Sequence, residues 1–380
     1  VKIVIAPDSF KESLSAAEAA RLIQAGFSEV FPHARFASLP IADGGEGTVN
    51  ALKEPLKARL HSATVRDPLG RPVEADFGLT DTRVAILEMA SACGLHLLSS
   101  HERDPRVATS RGLGELVLAA IDAGARHFIV GLGGSATNDC GVGFLNALGI
   151  RFLDSDGRDI SDGAADLQRL KHIDCSGLDA RIAACTFDVA CDVDNPLCGP
   201  TGASAVFGPQ KGATLEMIPV LDASLRHVAD VIQRDFDLPV ATTPGAGAAG
   251  GVGAAMLAFL RANLRPGSEI ITDALGLEQA IVGADFVITG EGCVDGQTSR
   301  GKAPMGVARV AARLGVPVIA LGGAVTADIE DLNHVGIHAA FPSVRRACSL
   351  DDALREAAAN LQATARNVAA AVRLGMAIKR

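Results

Sequence analysis

Both ends of the chain alternate short apolar runs with segments of helical periodicity, and that alternation limits the fold more than any other feature. Lys2 to Ala6 reads as a strand and Pro7 to Ser13 as a polar loop. Ser15 then caps a helix in which Ala19, Leu22, Ile23 and Phe27 recur at helical spacing, and Glu18 completes a capping box. A second strand is predicted over Arg35 to Leu39. The C-terminal third repeats the pattern: a strand over Asp285 to Thr289, a helix over Val307 to Leu314, strands over Val316 to Leu321 and Ile337 to Phe341, and an Ala-rich helix over Leu350 to Leu374. Such alternation gives a parallel sheet with helices on both faces. The middle differs. Thr64 to Val65, Val73 to Leu79 and Arg83 to Glu88 are close-spaced strands around the turn Asp67-Pro68-Leu69-Gly70, followed by strands over His127 to Val130, Ile150 to Phe152 and Phe187 to Ala190. The expected fold is α/β: a flavodoxin/Rossmann-like doubly wound domain from residues 1–62 and 281–380, with a second α/β domain inserted over 63–280.

Composition removes several function classes. A net charge of -9 disfavours nucleic acid and anionic membranes, and with neither Trp nor Tyr the usual base-stacking and membrane-interface side chains are missing. Leu238 to Leu260 carries no charge, but its glycines and prolines make it a loop feeding a helix and not a membrane span. The eight cysteines form no C-x-x-C pair, so a metal framework is not expected. The chain opens on a strand-like run with no signal peptide before it, so a cytoplasmic protein with reduced thiols is expected.

Ligands of doubly wound sheets bind beyond the carboxyl ends of the strands, so the loops there are where chemistry is sought. Three of them join carboxylates to glycines or lysine: Asp8-Ser9-Phe10-Lys11, Asp43-Gly44-Gly45-Glu46, and Gly290 to Lys302 with Glu291 and Asp295. The middle of the chain adds Thr109-Ser110-Arg111, the loop Gly133-Gly134-Ser135 through Asn138, the segment Asp192-Val193-Asp194-Asn195 suited to a hard cation, and the turn Gly208-Pro209-Gln210-Lys211-Gly212. Taken singly, each carboxylate could be a turn former and each lysine a solvated charge. Their shared place after strands is what points to one exposed cleft with a cationic or phosphorylated ligand. Two generic motifs mislead. Gly245-Ala246-Gly247-Ala248-Ala249-Gly250 fits G-x-G-x-x-G but follows no clear strand, which leaves an NAD-dependent dehydrogenase as a minor alternative. Gly296 to Lys302 approaches a P-loop but has Ala303 where a magnesium-binding hydroxyl belongs.

At these residues the sequence resembles the type I glycerate kinases of bacteria. The blocks IAPDSFKESLSA, PIADGGEGTV, VATSRGLGEL, GLGGSATNDCGVG, ACDVDNPLCGP, VFGPQKGAT, PGAGAAGGVGAA and ITGEGCVDGQTSRGK occur in the family's order along nearly the whole chain. The resemblance implies a flavodoxin-like domain from both chain ends, a restriction-endonuclease-like middle domain, and the reaction of ATP with D-glycerate to give 2-phospho-D-glycerate and ADP. It leaves glycerate 3-kinase regiochemistry, or a catalytically weak relative binding nucleotide or a sugar acid, as alternatives. Glu12 stands where the family usually has Gly, Arg111 where Tyr is common, and Cys293 where a basic residue is usual.

The mechanism expected on this basis uses ATP and Mg2+. Asp192 is the first candidate for the metal and Asp295 the second. Lys11 and Lys302 neutralise the transferred group, and Asp8 or Asp295 orients the glycerate hydroxyl and takes its proton. Gly133, Gly134, Ser135 and Asn138, with Gly247 and Gly250, are candidate nucleotide contacts. Ser9, Asp43, Gly44, Ser110 and Arg66 are candidate substrate contacts, with Arg71 and Arg111 as further cations for the carboxylate. The expected partner is the small molecule alone, with the protein a monomer or small homo-oligomer, and closure of two domains on substrate is expected to exclude water.

Overall fold

The computed structural model describes residues 1–10, 12–41, 48–53, 56–295 and 303–378. In chain order the strands are β1 (Lys2–Ile5), β2 (Arg35–Ser38), β3 (Arg59–Arg66), β4 (Pro72–Leu79), β5 (Val84–Glu88), β6 (His127–Gly131), β7 (Arg151–Leu153), β8 (His172–Asp174), β9 (Thr186–Ala190), β10 (Asn263–Arg265), β11 (Phe286–Val294), β12 (Val318–Val325) and β13 (Ala339–Pro342). The chain divides into two compact units, Val1–Asp43 with Ser268–Arg380, and Gly44–Gly267. The boundaries expected at 62/63 and 280/281 fall inside β3 and inside the helix Leu277–Ile281. A joint cannot lie within β3, because every residue from Arg59 to Arg66 is paired with β4.

The first unit holds a five-stranded parallel sheet in the order β13-β12-β11-β1-β2. Counted within this unit, that is the 2-1-3-4-5 order of flavodoxin-like folds. The chain leaves β1 toward β2 on one side and later returns to β11 on the other, so the topological switch lies between β1 and β11. Helix Ala16–Val30 starts at Ser15, whose hydroxyl accepts from the Glu18 amide at 3.2 Å while Glu18 accepts from the Ser15 amide at 3.0 Å. Its apolar stripe Ala19, Leu22, Ile23 and Phe27 is buried together with Leu361, Ala365 and Val368 of helix Ala357–Ile378. Gly26 permits that approach: a Cβ there would sit 2.6 Å from the Gln362 carbonyl oxygen. The single helix expected over 350–374 is instead two, Leu350–Arg355 and Ala357–Ile378.

The second unit is built on a six-stranded mixed sheet, β10-β9-β6-β5-β4-β3. β3, β4 and β5 form an antiparallel meander, while β5, β6, β9 and β10 run parallel. The β3–β4 turn is the one read from Asp67-Pro68-Leu69-Gly70. Asp67 Oδ1 accepts from the amides of Leu69 (2.8 Å) and Arg71 (2.9 Å), and Gly70 takes φ +79°. β8 and β10 are three residues each, too short to show a period of two, and were not foreseen. Helices Arg111–Asp122 and Met217–Phe236 contribute their apolar faces to the unit's core. All eight cysteines are free; Cys93, Cys140 and Cys198 are buried, while Cys293 and Cys348 are exposed. Among the described residues no helix is long and apolar enough to cross a membrane.

Candidate functional site

In the first unit the chemistry gathers at the carboxyl end of β1 and β11. Pairing between them continues beyond Ile5: the Ala6 amide donates to the Ile288 carbonyl and the Asp8 amide to the Gly290 carbonyl, each at 2.8 Å. Extending the register Ile5↔Ile288 sets Asp8 opposite Glu291, and parallel partners project from the same face of a sheet. The two carboxylates, 7% and 6% exposed, therefore flank the topological switch. Asp8 Oδ1 accepts from the Ser9 amide at 2.6 Å, and Ser9 is half-buried beside it.

The sequence reading ended this strand at Thr289 and took Gly290 to Val294 as loop; the structure corrects this, with β11 running on to Val294. β12 makes the extension possible, pairing Gly290 with Leu321 through Val294 with Val325. Here glycine serves close approach rather than a turn: a Cβ on Gly290 would meet the Leu321 carbonyl oxygen at 2.1 Å. Asp295 follows directly, half-buried. Glu291 is thus a strand residue, opposite Asp8 by register, a placement that residue type alone could not show. Lys11, Asp43, Gly44 and Lys302 lie outside the described residues.

In the second unit a hollow of about 180 Å³ opens at the carboxyl ends of the parallel neighbours β6 and β9. Its walls are the Gly133-Gly134-Ser135 turn after β6, the Cys191-Asp192 segment after β9, and Ala248-Ala249. Ala249, Gly250 and Gly251 take φ of 53°, 67° and 97°, three successive left-handed residues. Asp192 is exposed, and its Oδ1 accepts from the Gly267 amide at 2.9 Å. Lys211 also lines the hollow, although only 2% of it is exposed. It comes from the short turn Pro209–Lys211, which Gly212 reverses at φ +97°. Its Nζ donates to Ser135 Oγ at 3.1 Å and to the Thr137 carbonyl at 2.6 Å. Burial pulls its pKa down to about 7, against a smaller upward pull from Asp139.

Asp139 holds the floor together. Its carboxylate accepts from the Ser110 amide and hydroxyl (2.8 and 2.7 Å) and from the amides of Gly141 (3.1 Å) and Gly143 (3.3 Å). Burial pushes its pKa up, and these donors partly offset that. Several expected contacts turn out to belong to this scaffold. The fully buried Ser110 hydroxyl donates to Asp139 and accepts from the Phe144 amide at 2.9 Å, so its geometry does not support substrate contact. Asn138, also fully buried, donates through Nδ2 to Ser204 Oγ at 3.0 Å rather than facing a nucleotide.

The G-x-G-x-x-G run is a packing device. A Cβ on Gly247 would lie 2.3 Å from the Pro196 carbonyl oxygen, and one on Gly250 2.0 Å from that of Thr137. The Gly247 amide donates to the Asn195 carbonyl at 3.0 Å, and no strand precedes the run, so the dinucleotide-binding context is absent. The expected carboxylate-binding arginines are each engaged by acids: Arg66 and Arg111 by Glu115 (3.6 and 3.2 Å), and Arg71 by Asp67 and Glu102 (2.6 and 2.7 Å).

Among the described residues no group of three or more His, Cys, Asp or Glu could hold a metal ion. One exposed carboxylate at the rim of a hollow, with Asp194 two residues on, still suits magnesium. That ion is typically held by one or two carboxylates, water and substrate phosphates.

Residues 3–373 match the model of the glycerate kinase family. The chain is 50% identical to a glycerate kinase of Bacillus subtilis (strain 168), with 98% of each chain covered. It is 49% identical to a glycerate 2-kinase of Escherichia coli (strain K12), with 99% of each covered. A crystal structure of a protein named as a glycerate kinase 2 from Salmonella typhimurium LT2 superposes with a TM-score of 0.89 at 52% identity, over 99% of both chains.

Proposed function

The chain belongs to the glycerate kinase family, and from that premise we propose how its own residues carry the reaction. It is a phosphotransferase with an alcohol acceptor: ATP and D-glycerate give 2-phospho-D-glycerate and ADP. The observation that carries this reading is a likeness to glycerate kinases over the full length of the chain.

Phosphoryl transfer asks a protein for positioning and charge neutralisation. Asp8 orients the 2-hydroxyl and accepts its proton late, as the new oxygen–phosphorus bond forms and the bond from the γ-phosphorus to the β-γ bridging oxygen breaks. Its place beyond the carboxyl end of β1, opposite Glu291 by register and beside the topological switch, supports this assignment. Asp295 is the alternative base. Ser9, Asp43 and Gly44 contact the substrate, and Lys11 and Lys302 neutralise the transferred group. In the second unit Asp192 would hold magnesium, and the Gly133-Gly134-Ser135 turn contacts the nucleotide; Asp295 of the first unit is the second candidate for the metal. The metal would supply charge neutralisation on the phosphates. Eight cysteines without a disulfide among them fit a cytoplasmic location.

The test is ATP-dependent turnover of D-glycerate followed by 31P–1H correlation of the product. Coupling of phosphorus to the C2 proton is expected. Coupling to the C3 protons would establish the 3-kinase reaction instead, and absence of turnover would overturn the kinase reading.

A further inference from the structure

We propose that the hollow over Lys211 is an oxyanion site for a phosphoryl group of the nucleotide, with the Lys211 ammonium as its buried charge. This rests on the kinase reading and adds to it a residue and a place.

A buried ammonium is destabilising unless an anion or a full set of acceptors compensates it. Lys211 has two hydrogen-bond partners among the described residues, the hydroxyl of Ser135 and the carbonyl of Thr137, and both are neutral; the buried Asp139 carboxylate also favours the ammonium, but less than burial disfavours it. An ammonium carries three N–H groups, so one remains for a ligand in the hollow that the side chain lines. The strand β6 that carries this turn lies beside β9, so the site stands at the ends of parallel strands, where such folds bind ligands.

Its size sets what it takes. At about 180 Å³ it is well below the roughly 300–1,000 Å³ of pockets that enclose a whole small molecule, so it holds a group rather than a nucleotide. Ala190, Phe207, Ala248 and Ala249 make much of the wall apolar, leaving few polar features to fix orientation. Ala249, which lines the hollow, is held at φ 53°, and strain of this kind in a non-glycine residue concentrates at ligand sites. The choice of phosphoryl over the substrate carboxylate comes from Asp192 at the rim. A carboxylate at the rim suits a phosphate that arrives with a divalent cation, since such a cation is held jointly by carboxylate and phosphate oxygens. Burial holds the Lys211 pKa down at about 7, so an anion bound beside it should draw a proton onto it.

The experiment compares wild type with Lys211→Met, which keeps the stem and removes the charge. The expected result is a fall in kcat/KM for ATP and in affinity for magnesium–ADP by about tenfold or more, with KM for glycerate within about twofold. A rise confined to KM for glycerate would mean that the hollow holds the carboxylate, and would overturn the assignment. Unchanged magnesium–ADP affinity would overturn it as well. Lys211→Arg is expected to recover part of the ADP affinity. A second measurement needs no variant: calorimetry of magnesium–ADP binding to wild type near pH 8, in buffers of different ionisation enthalpy, should show net proton uptake, and none would count against Lys211. Calorimetry with ADP is independent of glycerate turnover. A wild type that binds ADP through Lys211 but does not phosphorylate glycerate would sink the kinase reading alone.

Discussion

The rim of the first unit and the hollow of the second occupy the same architectural position, the carboxyl ends of neighbouring parallel strands, yet they are built in opposite ways. At the rim the backbone does the placing. Asp8 is set opposite Glu291 by sheet register and by the hydrogen bond from its amide to the Gly290 carbonyl. In the hollow, side chains do the placing. Asp139 ties the Gly141–Gly143 turn to Ser110, and Lys211 reaches under Ser135 and Thr137 from a turn more than 70 residues away. A site held by main-chain register should lose function without losing stability when a side chain changes. A site held by buried polar side chains should lose both.

The sharpest way to break this contrast is at the rim. Asp8→Asn is expected to lower kcat by about 10²–10⁴-fold while moving unfolding free energy by less than about 1 kcal/mol. Urea melts alongside initial rates check it, and a large loss of stability would erase the distinction. In the hollow, Asp139→Ala strands the amides of Ser110, Gly141 and Gly143 without their acceptor. It should cost about 3–5 kcal/mol, read from the same melts; a cost under about 1 kcal/mol would show that the carboxylate is not the organiser described.

The third comparison uses pH. The folded pKa of Lys211 lies below that of an ordinary lysine, so above about pH 7 the unfolded chain binds more protons than the folded one. Stability from this group is therefore lowest below about pH 7 and rises with pH toward the unfolded value near 10, by up to about 1.4 kcal/mol per pH unit. Lys211→Met should lack that slope, and parallel slopes for the two proteins would refute it.

The smallest effect expected is at Glu12, which stands at φ +64°, a backbone conformation that favours glycine. Left-handed backbone costs an L-residue about 1–2 kcal/mol, partly offset by the entropy glycine loses on folding. Glu12→Gly should stabilise the first unit by about 0.5–1 kcal/mol in a thermal melt; a destabilised variant would mean that the Glu12 side chain contributes more than its backbone costs.

How much of each site could be read in advance follows the same division. Asp8 was legible because an aspartate directly after an apolar strand is a local pattern. Glu291 was seen among the candidates but misplaced, because glycines at 290 and 292 signal a loop until a second glycine-bearing strand is known to lie against them. Lys211 was noticed only as a cation in a turn; nothing near it in the chain announces burial. Ser110 and Asn138 had the right chemistry for ligand contact, but their hydroxyl and amide close the fold around Asp139 and Ser204.

The sequence by itself determined the strand–helix alternation, the capping of the first helix, the β3–β4 turn and the family, since each rests on residues close together or on motifs in fixed order. Only the tertiary structure decided which acids face each other, which glycines serve contact rather than turning, and which lysine loses its water. Those outcomes depend on register and burial, and both are set by pairings between segments far apart in the chain, whose energies no local window of sequence contains.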